Sequence, residues 1–197
     1  MESRLYVIMS FITYMNMPEK IDLPGLLTVR TVADADLLME KVRTAAASVR
    51  DWMAGQTGDP LEILRRMKFE PVGFHPIRGH ALNIVEQINQ TWTYCVALAA
   101  ARQLLLLHPD VEGFRLAPGA HACQALDIMS VAEGRVGAET FAAVTPRNNG
   151  KLDADLLKLS TRQEEHRYAF FMSPRYPGNK RLQAFEQHGV EVWSVHV

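Results

Sequence analysis

The sequence predicts a mixed α/β fold, and three observations carry that prediction. Through most of the first 107 positions, apolar residues recur at three- and four-residue steps. Beyond His108-Pro109 the texture changes to short β-like runs. Helical patterns then return between those runs. From position 80 the expected order is helix, three strands, helix, strand, helix, strand, a layered α/β arrangement rather than a regular doubly wound one. At 197 residues and 48% hydrophobic, the chain is long enough for one domain with a real core and a small appendage.

Residues 20–30 read as extended or looped, punctuated by Pro24 and Gly25. Thr31 opens a helix that carries Leu38, Val42, Val49 and Trp52 to about Ala54. Asp59 caps a short second helix, with Pro60 at its first position. Pro71, Gly73, Pro76 and Gly79 mark the best internal boundary, giving an N-terminal helical extension over 1–70 and a core over 71–197. The longest helix is expected from His80 to Leu107, with Leu82, Val85, Trp92, Cys95 and Ala99 on a buried face. Asn83, Glu86, Gln87, Gln90 and Thr93 form a polar stripe near its start. Strands follow at 113–116, 120–131 and 135–144, the last two paired as a hairpin about Glu133-Gly134. A helix over 151–161, a strand over 167–172, a helix over 179–187 and a strand over 190–197 complete the chain.

Lys and Arg number 21 against 22 Asp and Glu, a net charge of -1. That balance excludes a histone-like nucleic-acid coat and a polybasic membrane-surface protein, while leaving room for a local basic face. Cys95 and Cys123 both sit in apolar surroundings and make neither a disulfide framework nor a CxxC zinc site. Both read as buried thiols in a reducing, cytoplasmic setting. The apolar stretch Leu5–Tyr14 is too short to span a bilayer, and no small-residue cleavage site follows it. It reads as a packed strand or helical turn, or as lead-in to a start at Met15 or Met17.

No Walker-type phosphate loop, GxGxxG, GxSxG or HExxH occurs. Among the seven histidines, His75, His80, His121 and His166 are not at ligand spacing from one another. The informative stretch runs from Leu126-Asp127-Ile128-Met129 to Ala138-Glu139-Thr140-Phe141. An acid within each of two neighbouring apolar strands is costly unless it is paired or holds a cation. The hairpin places Asp127 about opposite Thr140, with Glu139 one step away. A slip of one residue, or a bulge, brings the two carboxylates onto a common face. Oxygen ligands converging at a sheet end suit Mg²⁺ or Mn²⁺.

An Asp in an apolar strand, a hairpin, and a Glu within Ala-Glu-Thr-Phe resemble the PD-(D/E)xK nuclease superfamily. The element order agrees over residues 80–173. The resemblance implies a restriction-endonuclease-like core of helix, three antiparallel strands, helix and strand, preceded by the helical extension. It also implies an Mg²⁺- or Mn²⁺-dependent deoxyribonuclease acting on DNA, with Glu86, Asp127 and Glu139 as metal ligands. Asn83 and Gln90 would face the same cleft as Glu86. The sequence departs from the family where Lys is usual, two residues past Glu139, for that residue is Phe141. Lys151, at the start of the next helix, is the candidate to supply the displaced cation as the third catalytic residue beside Asp127 and Glu139. From Arg147 to Arg181, eight Lys and Arg stand against four acids, a local excess suited to phosphates. The rival expectation is a non-catalytic member acting as a nucleic-acid- or protein-binding module, with apolar, Met-rich N-terminal helices available for a homodimer contact.

Overall fold

In the structure, a computed structural model, residues 26–119, 123–147 and 150–197 are described. The expectations for Leu5–Tyr14, for residues 20–25 and for the first part of the strand at 120–131 lie outside the described residues.

Local chemistry sets most helix ends. β1 (Leu27–Val29) leads into α1 (Val32–Ala54) through a reciprocal cap. Thr31 Oγ1 accepts from Asp34 N at 3.1 Å, and Asp34 Oδ2 accepts from Thr31 N at 2.8 Å. α2 (Pro60–Phe69) starts at Asp59, whose Oδ1 accepts from Glu62 N at 3.0 Å. The expected helix from His80 begins four residues later. Ala81–Leu82 (β3) instead pairs with Gly73–Phe74 (β2), and Asn83 Oδ1 then accepts from Glu86 N at 2.8 Å to start α3 (Ile84–Leu107). Pro109 follows the end of α3, where a proline cannot continue the helical ladder.

The remaining elements are β4 (Phe114–Leu116), β5 (Ile128–Ser130), β6 (Val136–Ala142), α4 (Lys151–Ser160), β7 (His166–Met172), β8 (Lys180–Arg181) and β9 (Glu191–Ser194). Seven strands form one mixed sheet in the order β1-β4-β5-β6-β7-β9-β8, while β2 and β3 make a separate pair. The run β1-β4-β5-β6 is antiparallel, β6 to β7 and β7 to β9 are parallel, and β8 closes antiparallel on β9. The β6-α4-β7 passage is thus a crossover between parallel neighbours, with α4 packed on the sheet.

α3 lies between α1 and one sheet face, which explains why burial wraps most of its second half. Val96, Leu98, Ala100 and Leu104 are buried there with Val42 of α1 and Ile128, Ala138 and Phe170 of the sheet. α4 covers the other face, placing Leu152, Leu156 and Leu159 against Phe141, Phe171 and Val192. Each fully buried Leu or Phe contributes about 1.5–3 kcal/mol of transfer free energy. β1 joins the edge of this sheet at Gly113, whose φ of 132° and close approach leave no room for a side chain. A Cβ there would lie 2.6 Å from the Val29 carbonyl oxygen.

Four sequence expectations are corrected. The strand expected over 120–131 is paired only from Ile128, because residues 123–127 bend. The Gln124 amide spans that bend, donating to the carbonyls of Arg115 and Asp127 at 2.9 and 3.2 Å. The helix expected over 179–187 is a two-residue strand and one 3₁₀ turn (Gln183–Phe185). The β9 ladder takes this backbone, with Arg181 opposite Trp193 and Leu182 N donating to Val192 O at 2.7 Å. Trp92, expected in the core, is 43% exposed, whereas Val96, Ala97, Ala100 and Ala101 further along α3 are buried. Cys123 is exposed, whereas Cys95 is buried and its thiol is pushed up to about 11 by burial.

Candidate functional site

The hairpin register pairs Ile128 with Ala138 and Met129 with Gly137, one step from the expected alignment. Continued past the end of β5, that register sets Asp127 against Glu139. Because β5 stops at Ile128, the β6 backbone needs another partner beyond it. The Asp127 carboxylate supplies one: its Oδ2 accepts from Thr140 N and Thr140 Oγ1, both at 2.9 Å. Both bonds fall on the same oxygen. Asp127 is half-buried, and its backbone oxygen accepts from Ala117 N at 2.9 Å. Its position is therefore held from two sides.

Glu139 projects from the centre of β6 and is 4% exposed. Lys158, two turns into α4, reaches back to it, with Nζ 2.6 Å from Oε1. Burial pushes the Glu139 carboxyl above its usual range. The nearby Asp127 charge adds to that, and Lys158 opposes it. Asp155, one turn before Lys158, is 3% exposed, and its Oδ1 accepts from Lys151 Nζ. Its Oδ2 is buried with no hydrogen-bond partner among the described residues, and burial raises this carboxyl as well.

A cleft of about 640 Å³ opens at the C-terminal end of β6. Asp127, Glu139, Lys151 and Lys158 line it together with Thr140, Phe141 and Ala142. Asn89, Trp92 and Thr93, at steps of three and four on one face of α3, form its other wall. Phe141 is packed rather than free, its ring 5.7 Å from that of Phe171.

Of the four residues expected at the site, Asp127, Glu139 and Lys151 line one cleft. Glu86 does not. It is exposed on the first turn of α3, where its backbone N–H is used by the Asn83 cap and its charge suits the helix N-terminus. Asn83 serves as that cap, and Gln90 is not among the lining residues. Asn148 and Asn149, whose side chains suit hydrogen bonds to phosphate or bases as well as plain turn chemistry, lie outside the described residues. Sequence reasoning missed Lys158 and Asp155. Their signal was present, because Lys151, Asp155 and Lys158 recur at four and three residues and so share one face of α4.

The arrangement gathers two carboxylates and two ammonium groups around one partly dehydrated recess, with the buried Asp155 bonded to one of the amines. It can bind a cation through carboxylate oxygens, present positive charge to an anion, and hold a water between acid and amine. The chain matches no protein-family model, no curated protein and no solved structure among those compared with it.

Proposed function

We propose that this protein is a divalent-metal-dependent phosphodiesterase acting on DNA, built on a restriction-endonuclease-like core. The observation that carries the reading is the Lys158–Glu139 contact beside Asp127. It gives an acid immediately before the second strand of a meander, an acid on the third, and a lysine from the following helix on the same cleft. The order α3-β4-β5-β6-α4-β7, with β7 parallel to β6, supports the same reading. So does the position of Asp127 just before that second strand.

The donor set fits a hard cation. Asp127 and Glu139 would hold it through carboxylate oxygens, and a cation there would offset both the burial and the neighbouring Asp127 charge that raise the Glu139 carboxyl. Among the described residues no three His, Cys, Asp or Glu side chains form a complete cage. Two protein carboxylates with water filling the remaining positions is the habit of Mg²⁺. When bound, the cation supplies an acidified water and charge stabilisation at the phosphate. Lys158 would hold its ammonium against the attacking water and the phosphate oxygens. Asp155 holds Lys151 at the cleft wall, where its ammonium attracts the flanking phosphate. The Thr140 bonds fix the Asp127 carboxylate plane.

A plasmid and oligonucleotide cleavage assay in Mg²⁺ and Mn²⁺ tests this reading. Wild type should cleave, and Asp127→Asn and Glu139→Gln should each lose cleavage and Mn²⁺ binding by calorimetry while remaining folded. Equal Mn²⁺ binding by all three proteins would refute it.

A second reading, a non-catalytic binding module of the same architecture, draws on Phe141. That side chain occupies the usual lysine position and is packed on Phe171. It predicts nucleic-acid or protein binding without cleavage in any metal.

A further inference from the structure

We infer that the strand entering this cleft is unpaired, and that Trp92 stacks on one of its bases next to the reacting phosphate. The inference rests on the phosphodiesterase reading above and names its substrate class: single-stranded DNA. Two observations carry it, one of size and one of surface chemistry.

The first is access. Glu139 is 4% exposed and forms the floor of a recess of about 640 Å³. That volume is within the range of sites for small ligands, roughly 300–1,000 Å³. It admits about one nucleotide with its flanking phosphates. A B-form duplex presents its phosphates on a broad cylinder with grooves about 6 and 12 Å wide. An unpaired strand can fold one phosphate into such a recess without carrying the rest of a duplex with it.

The second is the wall. Trp92 is 43% exposed, as Ile88, Leu106 and Leu107 of α3 also are in part, but of these four only Trp92 is among the residues that line the cleft. Its indole lines the same cleft as the two strand acids, from the facing helix. Trp52 is already covered by the Arg66 guanidinium at 5.4 Å, and Trp193 Nε1 donates to Glu191 at 3.0 Å. Trp92 alone of the three tryptophans offers its ring to the cleft. Aromatic faces bind unpaired bases with little regard to sequence, because every base has a π-face. Lys151 and Lys158 stand across the recess where phosphates of the same strand would lie. A base-binding wall opposite a phosphate-binding wall is the layout that a single strand requires.

The test is binding to the full chain in Ca²⁺, read by tryptophan fluorescence and by anisotropy of a labelled 12-nucleotide single strand and its blunt duplex. Wild type should bind the single strand at least about tenfold tighter than the duplex, with quenching of indole emission. Trp92→Ala should weaken single-strand binding by about 5- to 150-fold, the fold-change equivalent to one stacked base. Trp92→Phe should retain most of it, and both variants should melt within a few degrees of wild type. Equal affinity for single strand and duplex would overturn the inference. So would wild-type single-strand affinity in Trp92→Ala. The two readings fail separately. Trp92-dependent single-strand binding without cleavage in any metal supports stacking and refutes hydrolysis. Cleavage of both substrates at equal rates, unaffected by Trp92→Ala, supports hydrolysis and refutes stacking.

Discussion

Lys158 Nζ sits 2.6 Å from Glu139 Oε1, joining the last turn of α4 to the middle of β6 across nineteen residues of chain. Glu139 is buried while the Lys158 side chain is 48% exposed, so the pair is asymmetric in solvation. The acid bears the desolvation cost, and the amine remains free to exchange this partner for a phosphate or a water. That asymmetry separates the two lysines of the cleft.

Lys158→Ala should lower metal-dependent cleavage by about 10²–10⁴-fold, the scale for losing a positioned acid-base group. Lys151→Ala should cost less than about tenfold, since its ammonium is bonded to Asp155 rather than to Glu139. Single-turnover cleavage at saturating metal checks this. Equal losses in the two variants would contradict the assigned roles.

The raised Glu139 carboxyl has a consequence for stability. A carboxyl with a folded value above its unfolded value contributes stability below the usual carboxylate range, and that contribution is lost as pH rises through the folded value. Glu139→Gln removes this loss. Without metal, the variant should be more stable than wild type at pH 7–8, with the difference shrinking toward pH 4. Saturating Mn²⁺ should raise the melting temperature of wild type only. Thermal denaturation across pH 4–8, with and without Mn²⁺, measures both effects.

His75 should give acid sensitivity of the opposite sign. Its Nδ1 accepts from Ile77 N and Arg78 N at 3.2 and 3.1 Å, a role that requires the neutral ring. Burial, reinforced by His80 and Arg78, lowers its value to about 4 from 6.5. The unfolded chain therefore binds the extra proton between those values, and stability falls as pH drops from 6.5 toward 4. His75→Asn keeps an acceptor at the turn and removes the titration. It should recover about 1–3 kcal/mol of the acid-induced loss. Urea denaturation at pH 7 and pH 4.5, compared between the two proteins, provides the measurement.

Gln87 is 0% exposed and joins three elements. Its Oε1 accepts from Phe74 N at 2.7 Å, and its Nε2 donates to Ala45 O at 2.8 Å. Gln87→Leu takes the acceptor from Phe74 N, while Ala45 O keeps the Ser48 hydroxyl at 2.7 Å, and should cost about 1–3 kcal/mol, while cleavage per folded molecule stays unchanged. A chemical-denaturation midpoint equal to that of wild type would contradict the bridging role.

Much of this was legible in the sequence because it is local. The Thr31, Asp59 and Asn83 caps use side chains within three residues of the N–H groups they satisfy, and His108-Pro109 stops α3 for reasons confined to that turn. The hairpin between β5 and β6 was readable from alternation and a Glu-Gly turn, and with it the approach of Asp127 to Thr140. Tertiary structure decided the rest, where distant groups compete for the same backbone or the same space. Residues 179–187 have helical spacing, yet the β9 ladder satisfies their backbone instead. Periodicity gave α3 an apolar stripe through Trp92, but packing between α1 and the sheet buried the later part of the helix and left the indole at the cleft. Position along the chain favoured Lys151 as the partner of the strand acids. The docking of α4 across the sheet instead turned Lys158 onto Glu139 and Lys151 onto Asp155, because the reach of a side chain is set by where its helix lands.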